Sequence, residues 1–273
     1  MYKYIDNHAH LNFSAYDTDR EETVKRAKEA GIAVINVGTQ RDTSKKAVEI
    51  AESTDGCFAI VGLHPVHTSR SFHDEKEIGE GGTEFTSRGE IFDREFYKKL
   101  CESPKVVGIG ECGLDKYRSE EWEKEGGMRQ IEALKKQIEL SLEVKKPLML
   151  HVREAYKEAL DILRTYPGVR GNVHFFAGTL EEAKEFLDLG FTLSFTGVIT
   201  FAKEYEELVR FVPLEMMLSE TDCPYVSPIP FRGKRNEPSY VIEVIKKIAE
   251  IKELNFEEVA TQLRENTKRV WGI

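Results

Sequence analysis

The chain has 273 residues, a hydrophobic fraction of 40% and a formal net charge of −9, which is normal for a globular protein and long enough for one large α/β domain or two smaller ones. The negative charge argues against a broad electrostatic nucleic-acid surface, although it leaves open a nucleic-acid substrate held locally by metal ions and a few arginines. No apolar stretch approaches the roughly 20 residues that cross a bilayer, and the polar opening MYKYIDN is no signal peptide, so we expect a soluble, cytoplasmic protein without membrane contact.

Strand and helix patterns alternate from one end of the chain to the other. Eight short apolar runs predict strands at Lys3–Asn7, Ala33–Val37, Cys57–Val61, Val106–Gly110, Pro147–Leu150, Gly171–Val173, Thr192–Phe195 and Glu215–Leu218. Helical patterns predict helices at Asp19–Ala30, Thr43–Ser53, Arg94–Cys101, Met128–Val144, Glu154–Thr165, Leu180–Leu189, Lys203–Phe211, Pro238–Ile251 and Phe256–Val270. Repeated β-then-α units of this kind predict a single-domain TIM (β/α)8 barrel over residues 1–273, with a doubly wound open sheet as the alternative.

One segment interrupts this alternation. Val66–Asp93 is rich in glycine and charged residues, and its apolar residues show no clear helix or strand periodicity. This predicts a long loop after the third strand, with room for a small hairpin. Loops that follow barrel strands lie on the active-site face, so the insertion is either a lid or specificity element or a plain surface insertion. We expect His67 and His73 within it to be solvated.

The four cysteines form no CxxC pair and no short disulfide framework, so we expect buried, reduced thiols. Cys112 and Cys223 directly follow two candidate ligands. Because adjacent strand residues point to opposite sides, we expect their thiols to face away from any metal.

Six metal-type residues follow or end the apolar runs: His8, His10, Glu111, His151, His174 and Asp222. They fall after strands 1, 4, 5, 6 and 8, and only a closed ring brings the first strand beside the eighth. Four imidazoles and two carboxylates suit two divalent cations per subunit, such as zinc, magnesium or manganese. Such a centre activates water, so the pattern predicts a metal-dependent hydrolase.

Individual roles follow from position along the ring. His8 and His10 are two apart on a strand and therefore share a face. Glu111 lies between the two histidine sets and is the natural bridge between cations. Asp222 is placed to bind the first cation and to accept a proton from water. Four further residues could contact substrate: His64, Arg153, Lys234 and Arg235.

The chain resembles the TatD-like metal-dependent deoxyribonucleases of the amidohydrolase superfamily. The matching stretches are YIDNHAHLNF, VGLHP, GIGECGLD, KPLMLHVREA, VHFFAG, SETDCPYVSP, GKRNEPSYV and ENTKRVW. The resemblance implies a TIM barrel, two divalent metals and hydrolysis of the phosphodiester bonds of DNA, without an obligate protein partner. Carried over residue by residue, it implies one metal on His8, His10, Glu111 and Asp222. The other metal is implied on Glu111, His151 and His174.

Four positions depart from the family pattern: Val66, Cys112, Phe175 and Ala177. None is a metal ligand, so the departures bear on substrate preference. One alternative function is an amidohydrolase acting on an amide, ester or lactone, which an apolar closed pocket would favour over a cation-rimmed mouth. The other is a barrel that binds a partner or nucleic acid without turnover.

Overall fold

The computed structural model describes residues 2–70, 72–73, 85–86, 89–117 and 122–273. Within them, the strands are β1 (Tyr4–Ala9), β2 (Ile32–Val37), β3 (Cys57–Val61), β4 (Phe72–His73), β5 (Phe85–Thr86), β6 (Val106–Asp115), β7 (Leu148–Arg153), β8 (Gly171–Val173), β9 (Thr192–Phe195) and β10 (Met217–Ser219). Eight of these form one parallel sheet in the order β1-β2-β3-β6-β7-β8-β9-β10.

Helices fill the intervals between barrel strands, as the sequence patterns predict. They are α1 (Arg20–Glu29), α2 (Arg41–Ser53), α3 (Arg94–Leu100), α4 (Gly127–Val144), α5 (Tyr156–Leu163), α6 (Leu180–Asp188), α7 (Glu206–Phe211), α8 (Val241–Lys252) and α9 (Phe256–Trp271). Capping by side chains fixes the N-terminal ends of two of these helices. Thr179 and Glu182 form a capping box at α6, and the Asn255 side chain caps α9. Among the helices of the described ranges, none combines the length and the apolar content that a bilayer crossing needs.

Contacts between β1 and the segment that follows β10 complete the ring. The backbone N–H of Asp222 donates to the His8 carbonyl over 2.9 Å, and that of His10 donates to the Cys223 carbonyl over 2.9 Å. The carboxylate of Asp6 accepts from both the backbone N–H and the hydroxyl of Thr221, at 2.9 and 2.5 Å. The eight strands therefore form a nearly closed TIM barrel, and the open-sheet alternative was wrong.

Two apolar layers hold the barrel together. One lies inside the ring and is closed by α9, where the indole N–H of Trp271 donates to Asn7 over 3.0 Å. The other lies between the strands and the helices. All four cysteines are buried and unpaired, as predicted. Cys112 and Cys223 belong to the outer layer, which places their thiols on the side of the strands away from the ligands.

Three strands run through candidate ligands that the apolar pattern places just after the strand end. β1, β6 and β7 continue through His8, Glu111 and His151 instead of ending before them. Strand pairing explains the difference, because the ladder between β6 and β7 continues from Gly113↔His151 to Asp115↔Arg153. The candidate ligands on these strands are thus fixed by sheet hydrogen bonds rather than by loops.

The insertion begins with a short 3-10 turn over Pro65–Thr68. The predicted hairpin is confirmed as an antiparallel pair of two-residue strands, with Phe72 opposite Thr86 and His73 opposite Phe85. Residues 74–84, 87–88 and the side chain of His73 lie outside the described part of the chain. The expectation that His67 is solvated was wrong, because the 3-10 turn folds its side chain into the buried wall of the barrel mouth.

Candidate metal centre

The first ligand set joins the two ends of the barrel. Nε2 of His8 and Nε2 of His10 are 3.1 Å apart, so both rings point to one side, as predicted. Oε2 of Glu111 lies 3.4 Å from the His8 nitrogen and 3.8 Å from the His10 nitrogen. Oδ1 of Asp222 lies 3.7 and 3.4 Å from the same two atoms. A tetrahedron of zinc ligands at about 2.0–2.2 Å has edges of about 3.3–3.6 Å, and the distances from the two histidine nitrogens to each other and to the two carboxylates are close to these.

Local structure fixes each member of this set. Nδ1 of His10 faces the carbonyl of Val37 at 2.9 Å, which makes it the protonated nitrogen and leaves Nε2 with a free lone pair. Asp222 has a left-handed backbone, φ 55°, in a loop held by Asn236. The Asn236 amide donates to the carbonyls of Thr221 and Tyr225, on either side of Asp222, at 2.9 and 2.5 Å.

The second ligand set surrounds the other oxygen of Glu111. Oε1 lies 3.0 Å from Nδ1 of His151 and 2.8 Å from Nε2 of His174, and these two nitrogens are 3.2 Å apart. The rings of His8 and His174 stack at 4.0 Å between centroids, so the two sets are in direct contact. The structure therefore brings all six predicted ligands together, with Glu111 between the sets.

The electrostatics of the centre favour an ionised bridge. Burial alone would raise the pKa of Glu111, but its interactions with the imidazoles of His64, His174 and His8 outweigh burial and hold that pKa well below its usual range. The pKa of Asp222 is likewise lowered, because its hydrogen bond to His10 and the nearby imidazoles overcome its burial. Burial opposes protonation of His174, yet Glu111 and Glu220 raise its pKa well above the usual value. Two carboxylates and clustered imidazoles of this kind are the donors that divalent cations take.

His64 also reaches Glu111, although the sequence placed it only among the substrate contacts. Its Nε2 lies 3.2 Å from Oε1 of Glu111, and with Glu111 and His151 it forms one of the groups that could hold a metal ion. Its Nδ1, however, accepts the backbone N–H of Val66 at 3.2 Å. In a neutral ring the proton is then on Nε2, so His64 is placed to donate a hydrogen bond rather than to bind a cation.

Two buried carboxylates behind the ligands escaped the sequence reasoning. Oδ2 of Asp115 lies 3.0 Å from Nε2 of His151. Oε1 of Glu220 lies 3.4 Å from Nδ1 of His174, while Glu220 also accepts from the Phe175 N–H and the Ser194 hydroxyl. The signal in the sequence was adjacency, because Asp115 ends the GLD that follows Glu111 and Glu220 opens the ETD that ends in Asp222.

A cavity of about 1000 Å³ opens above the ligands. Its described lining has acidic residues only at the centre, namely Glu111, Asp115 and Asp222. Its basic lining residues are Arg153, Arg232, Lys234 and Arg235, and its aromatic ones are Phe13, Tyr156, Phe175, Tyr205 and Tyr225. The mouth is thus rimmed by cations and aromatic rings although the whole chain is acidic.

The rim cations differ in how they are held. Arg153 is exposed and lies over the ring of Tyr117 at 3.9 Å, and Lys234 is exposed. Arg235 instead donates to Asp19 over 2.5 Å and lies 4.3 Å from the centre of the Tyr16 ring. Its guanidinium is therefore engaged within the protein, which makes Arg235 a weaker candidate for a substrate contact than Arg153 or Lys234.

Comparison with known proteins places this centre among hydrolases. The family model described as TatD related DNase matches residues 5–272. The chain is 41% identical to the uncharacterized metal-dependent hydrolase YabD of Bacillus subtilis, over 98% of this chain and 99% of the relative. It is 31% identical to the 3'-5' ssDNA/RNA exonuclease TatD of Pantoea vagans, over 98% and 99% of the two chains.

Solved structures of TatD-type proteins share the fold of this chain. The chain superposes on YJJV, a TatD homolog from Escherichia coli K12, with a TM-score of 0.83 and 26% identity, covering 99% of this chain and 98% of the other. A hydrolase TatD family protein from Entamoeba histolytica aligns with a TM-score of 0.81 at 23% identity over 99% and 98% of the two chains.

Proposed function

This chain belongs to the TatD related DNase family and is a metal-dependent hydrolase; on that premise, we propose that it cleaves phosphodiester bonds of DNA at a centre of two divalent cations. One observation carries the proposal. The two oxygens of the Glu111 carboxylate face separate sets of donors, with Oε2 toward His8 and His10 and Oε1 toward His151 and His174. Each subunit would hold two cations of zinc, magnesium or manganese.

Bound cations at such a centre lower the pKa of a water and offset the negative charge that a phosphate gains in the transition state. The protein's own groups would supply the proton transfers. Asp222 would orient the attacking water and accept its proton, since its lowered pKa keeps it an acceptor. The Nε2–H of His64 would donate to Oε1 of Glu111, which it faces at 3.2 Å, and would hold that carboxylate in place, because Val66 keeps the proton on that nitrogen.

The cavity mouth supports a nucleic-acid substrate over a small amide. Arg153 and Lys234 offer charge to phosphates that flank the scissile one, and Arg153 can do so with two parallel hydrogen bonds. Phe13, Tyr205 and Tyr225 offer faces on which unpaired bases can stack. A closed apolar pocket would favour an amide, ester or lactone substrate, whereas this cavity is open and its described lining includes four cationic side chains. We propose a single-stranded DNA end as the preferred substrate, and a cytoplasmic location stays a prediction.

An activity screen of metal-loaded protein tests the proposal. Single-stranded DNA, duplex DNA and RNA of one sequence are compared with a panel of amide, ester and lactone substrates, each with zinc, magnesium or manganese. We expect cleavage of DNA that is fastest on the single strand and that disappears with chelator. Turnover of an amide or lactone with no cleavage of any nucleic acid would overturn the proposal. Wild type and Glu111→Gln are assayed in parallel, so that a contaminating nuclease is recognised by activity in both.

A further inference from the structure

The orientation of His151 differs from that of its neighbours. His8, His10 and His174 present Nε2 to the centre, whereas His151 presents Nδ1, 3.0 Å from Oε1 of Glu111. The Nε2 of His151 therefore points away from the centre. The His151 side chain is also 19% exposed, compared with 0–4% for the other three. This ring is the most exposed of the four imidazoles.

Asp115 contacts the nitrogen of His151 that points away from the centre. Its Oδ2 lies 3.0 Å from Nε2 of His151, and the carboxylate is 2% exposed. An ionised carboxylate can only accept hydrogen bonds, so Glu111, 3.0 Å from Nδ1, favours a neutral ring with its proton on Nδ1. Asp115 opposes this and favours the proton on Nε2. The lone pair of Nδ1 is then directed at the second ligand set. Partners of this kind on the far nitrogen of a ligating histidine fix its tautomer and its orientation.

Gln130 holds Asp115 in turn. The ladder between β3 and β6 ends at Val61↔Ile109, so the last residues of β6 have no partner on β3. The buried amide of Gln130, on α4, takes that place. Its Oε1 accepts the backbone N–H of Asp115 at 2.7 Å, and its Nε2 donates to the Asp115 carbonyl over 3.1 Å. A side-chain amide thus supplies the pair of hydrogen bonds that a neighbouring strand would make.

A second glutamine on α4, Gln137, makes the same pair of hydrogen bonds two turns further along the helix. Gln137 accepts from the backbone N–H of Leu63 at 2.8 Å and donates to its carbonyl over 3.0 Å. Positions seven apart lie on nearly the same face of a helix, and Leu63 precedes His64. Gln137 therefore makes an equivalent amide clamp on the residue before His64, and it reaches His151 only through the His64 ring, which lies 4.3 Å from the His151 ring.

We propose that Asp115 is a positioning residue that sets the tautomer of His151 for the second cation, and that Gln130 is the clamp that holds Asp115 in place. The inference rests on the metal centre of the proposed function, but not on which substrate is cleaved. Loss of the Asp115 carboxylate frees the His151 proton to move to Nδ1 and the ring to turn. Affinity for the second cation then falls, while the set made by His8, His10 and Asp222 keeps its geometry.

Histidine tautomers in the metal-free protein provide the direct test. Long-range ¹H–¹⁵N spectra of protein labelled at its seven histidines, recorded at alkaline pH where the rings are neutral, distinguish Nε2–H from Nδ1–H. We expect Nε2–H for His151 in the wild type and a mixed or Nδ1–H form in Asp115→Ala. Titration with zinc against a competing chelator should show second-site affinity weakened about 10–100-fold, the usual effect of removing such a partner, with the first site unchanged.

Gln130→Met and Gln137→Met form the matched pair, because each loses the same two hydrogen bonds from one face of α4. We expect Gln130→Met to shift the His151 tautomer and weaken the second site, and Gln137→Met to leave the His151 tautomer as in the wild type. If Asp115→Ala fails to fold, this pair still decides the question. Nδ1–H in the wild type, or an unchanged tautomer and second-site affinity in both Asp115→Ala and Gln130→Met, would overturn the proposal.

Discussion

The backbone N–H of Asp222 donates to the carbonyl of His8 over 2.9 Å, and their side chains meet with Oδ1 and Nε2 only 3.7 Å apart. One pair of residues therefore both joins the last barrel strand to the first and forms half of the first ligand set. Closure of the barrel therefore also brings these two candidate ligands together. Substitutions near this seam must be judged by folding and by activity together.

Asp222→Asn should abolish hydrolysis while the fold remains intact. The amide keeps the shape of the carboxylate but cannot accept a proton from water. A general base contributes about 10²–10⁴-fold to a rate, so we expect at least about a 100-fold loss of nuclease turnover. Thermal melting and metal content are measured on the same sample. Near-wild-type turnover in a folded, metal-loaded variant would remove Asp222 from the role of base.

Glu111→Gln should weaken both cation sites at once, because its two oxygens face different ligand sets. His10→Gln should weaken only the first site and His174→Gln only the second. Competition titrations of the three variants with zinc measure the two affinities separately. An effect of Glu111→Gln confined to one site would show that the carboxylate does not bridge.

Metal-free protein should lose stability as pH rises because of Asp6. Burial is the main reason that the pKa of Asp6 is raised from 3.8 to about 8, against the lowering effect of its hydrogen bonds with Thr221. A raised folded-state pKa gives a contribution that is fully present below the unfolded value and is lost as pH climbs through the folded value. The contribution therefore declines from about pH 4 to about pH 8.

The matched variant for this effect is Asp6→Asn, which keeps an acceptor for the Thr221 N–H but cannot ionise. We expect the melting temperature of chelator-treated wild type to fall, relative to that of Asp6→Asn, as pH is raised from mildly acidic to mildly alkaline. The difference between the two proteins removes the contribution of every other titrating group. Parallel pH profiles would mean that Asp6 does not titrate in this range.

Shortening the insertion should change substrate choice without changing the metal centre. His73 lies opposite Phe85 in the ladder, so residues 74–84 can be replaced by Asn-Gly, a pair that suits a two-residue hairpin turn. The insertion begins at the cavity wall, where Val66 and His67 line the mouth. We expect unchanged metal content and melting temperature, and a shifted ratio of activity on single-stranded to duplex DNA.

The control for the shortened chain keeps the length of residues 74–84 but scrambles their order. It separates an effect of bulk at the mouth from an effect of particular side chains. If the ratio and the Michaelis constants are unchanged in both variants, the insertion is surface decoration and has no part in substrate selection.

The sequence predicts the barrel well, and it singles out the six candidate ligands that the structure brings together, because both depend on local patterns. Short apolar runs mark the strands, and a histidine or carboxylate at the end of each run marks the barrel mouth. The roles of Asp115 and Gln130 could not be predicted in this way. They depend on a register shift in β6 between Ile109 and Cys112, and on a backbone partner 15 residues away along the chain.

The ends of the strands could not be predicted from the apolar pattern either. Pairing with β7 extends β6 through residues that are not apolar. The role of His64 could likewise be predicted only in part from the sequence. Its position in GLHP indicates a role at the mouth, but only the hydrogen bond from Val66 reveals which of its nitrogens carries the proton. Side-chain tautomers are set by neighbours that are distant in the sequence or by backbone groups that no residue pattern encodes.

Anomalous diffraction from crystals of the manganese-loaded protein gives the most direct view of the centre. We predict two peaks, about 3.5–4 Å apart as in other two-metal sites, with Glu111 between them. One peak should be bound by His8, His10 and Asp222, and the other by His151 and His174. A single peak in manganese-saturated crystals, or a second peak that does not touch Glu111, would contradict the two-cation centre.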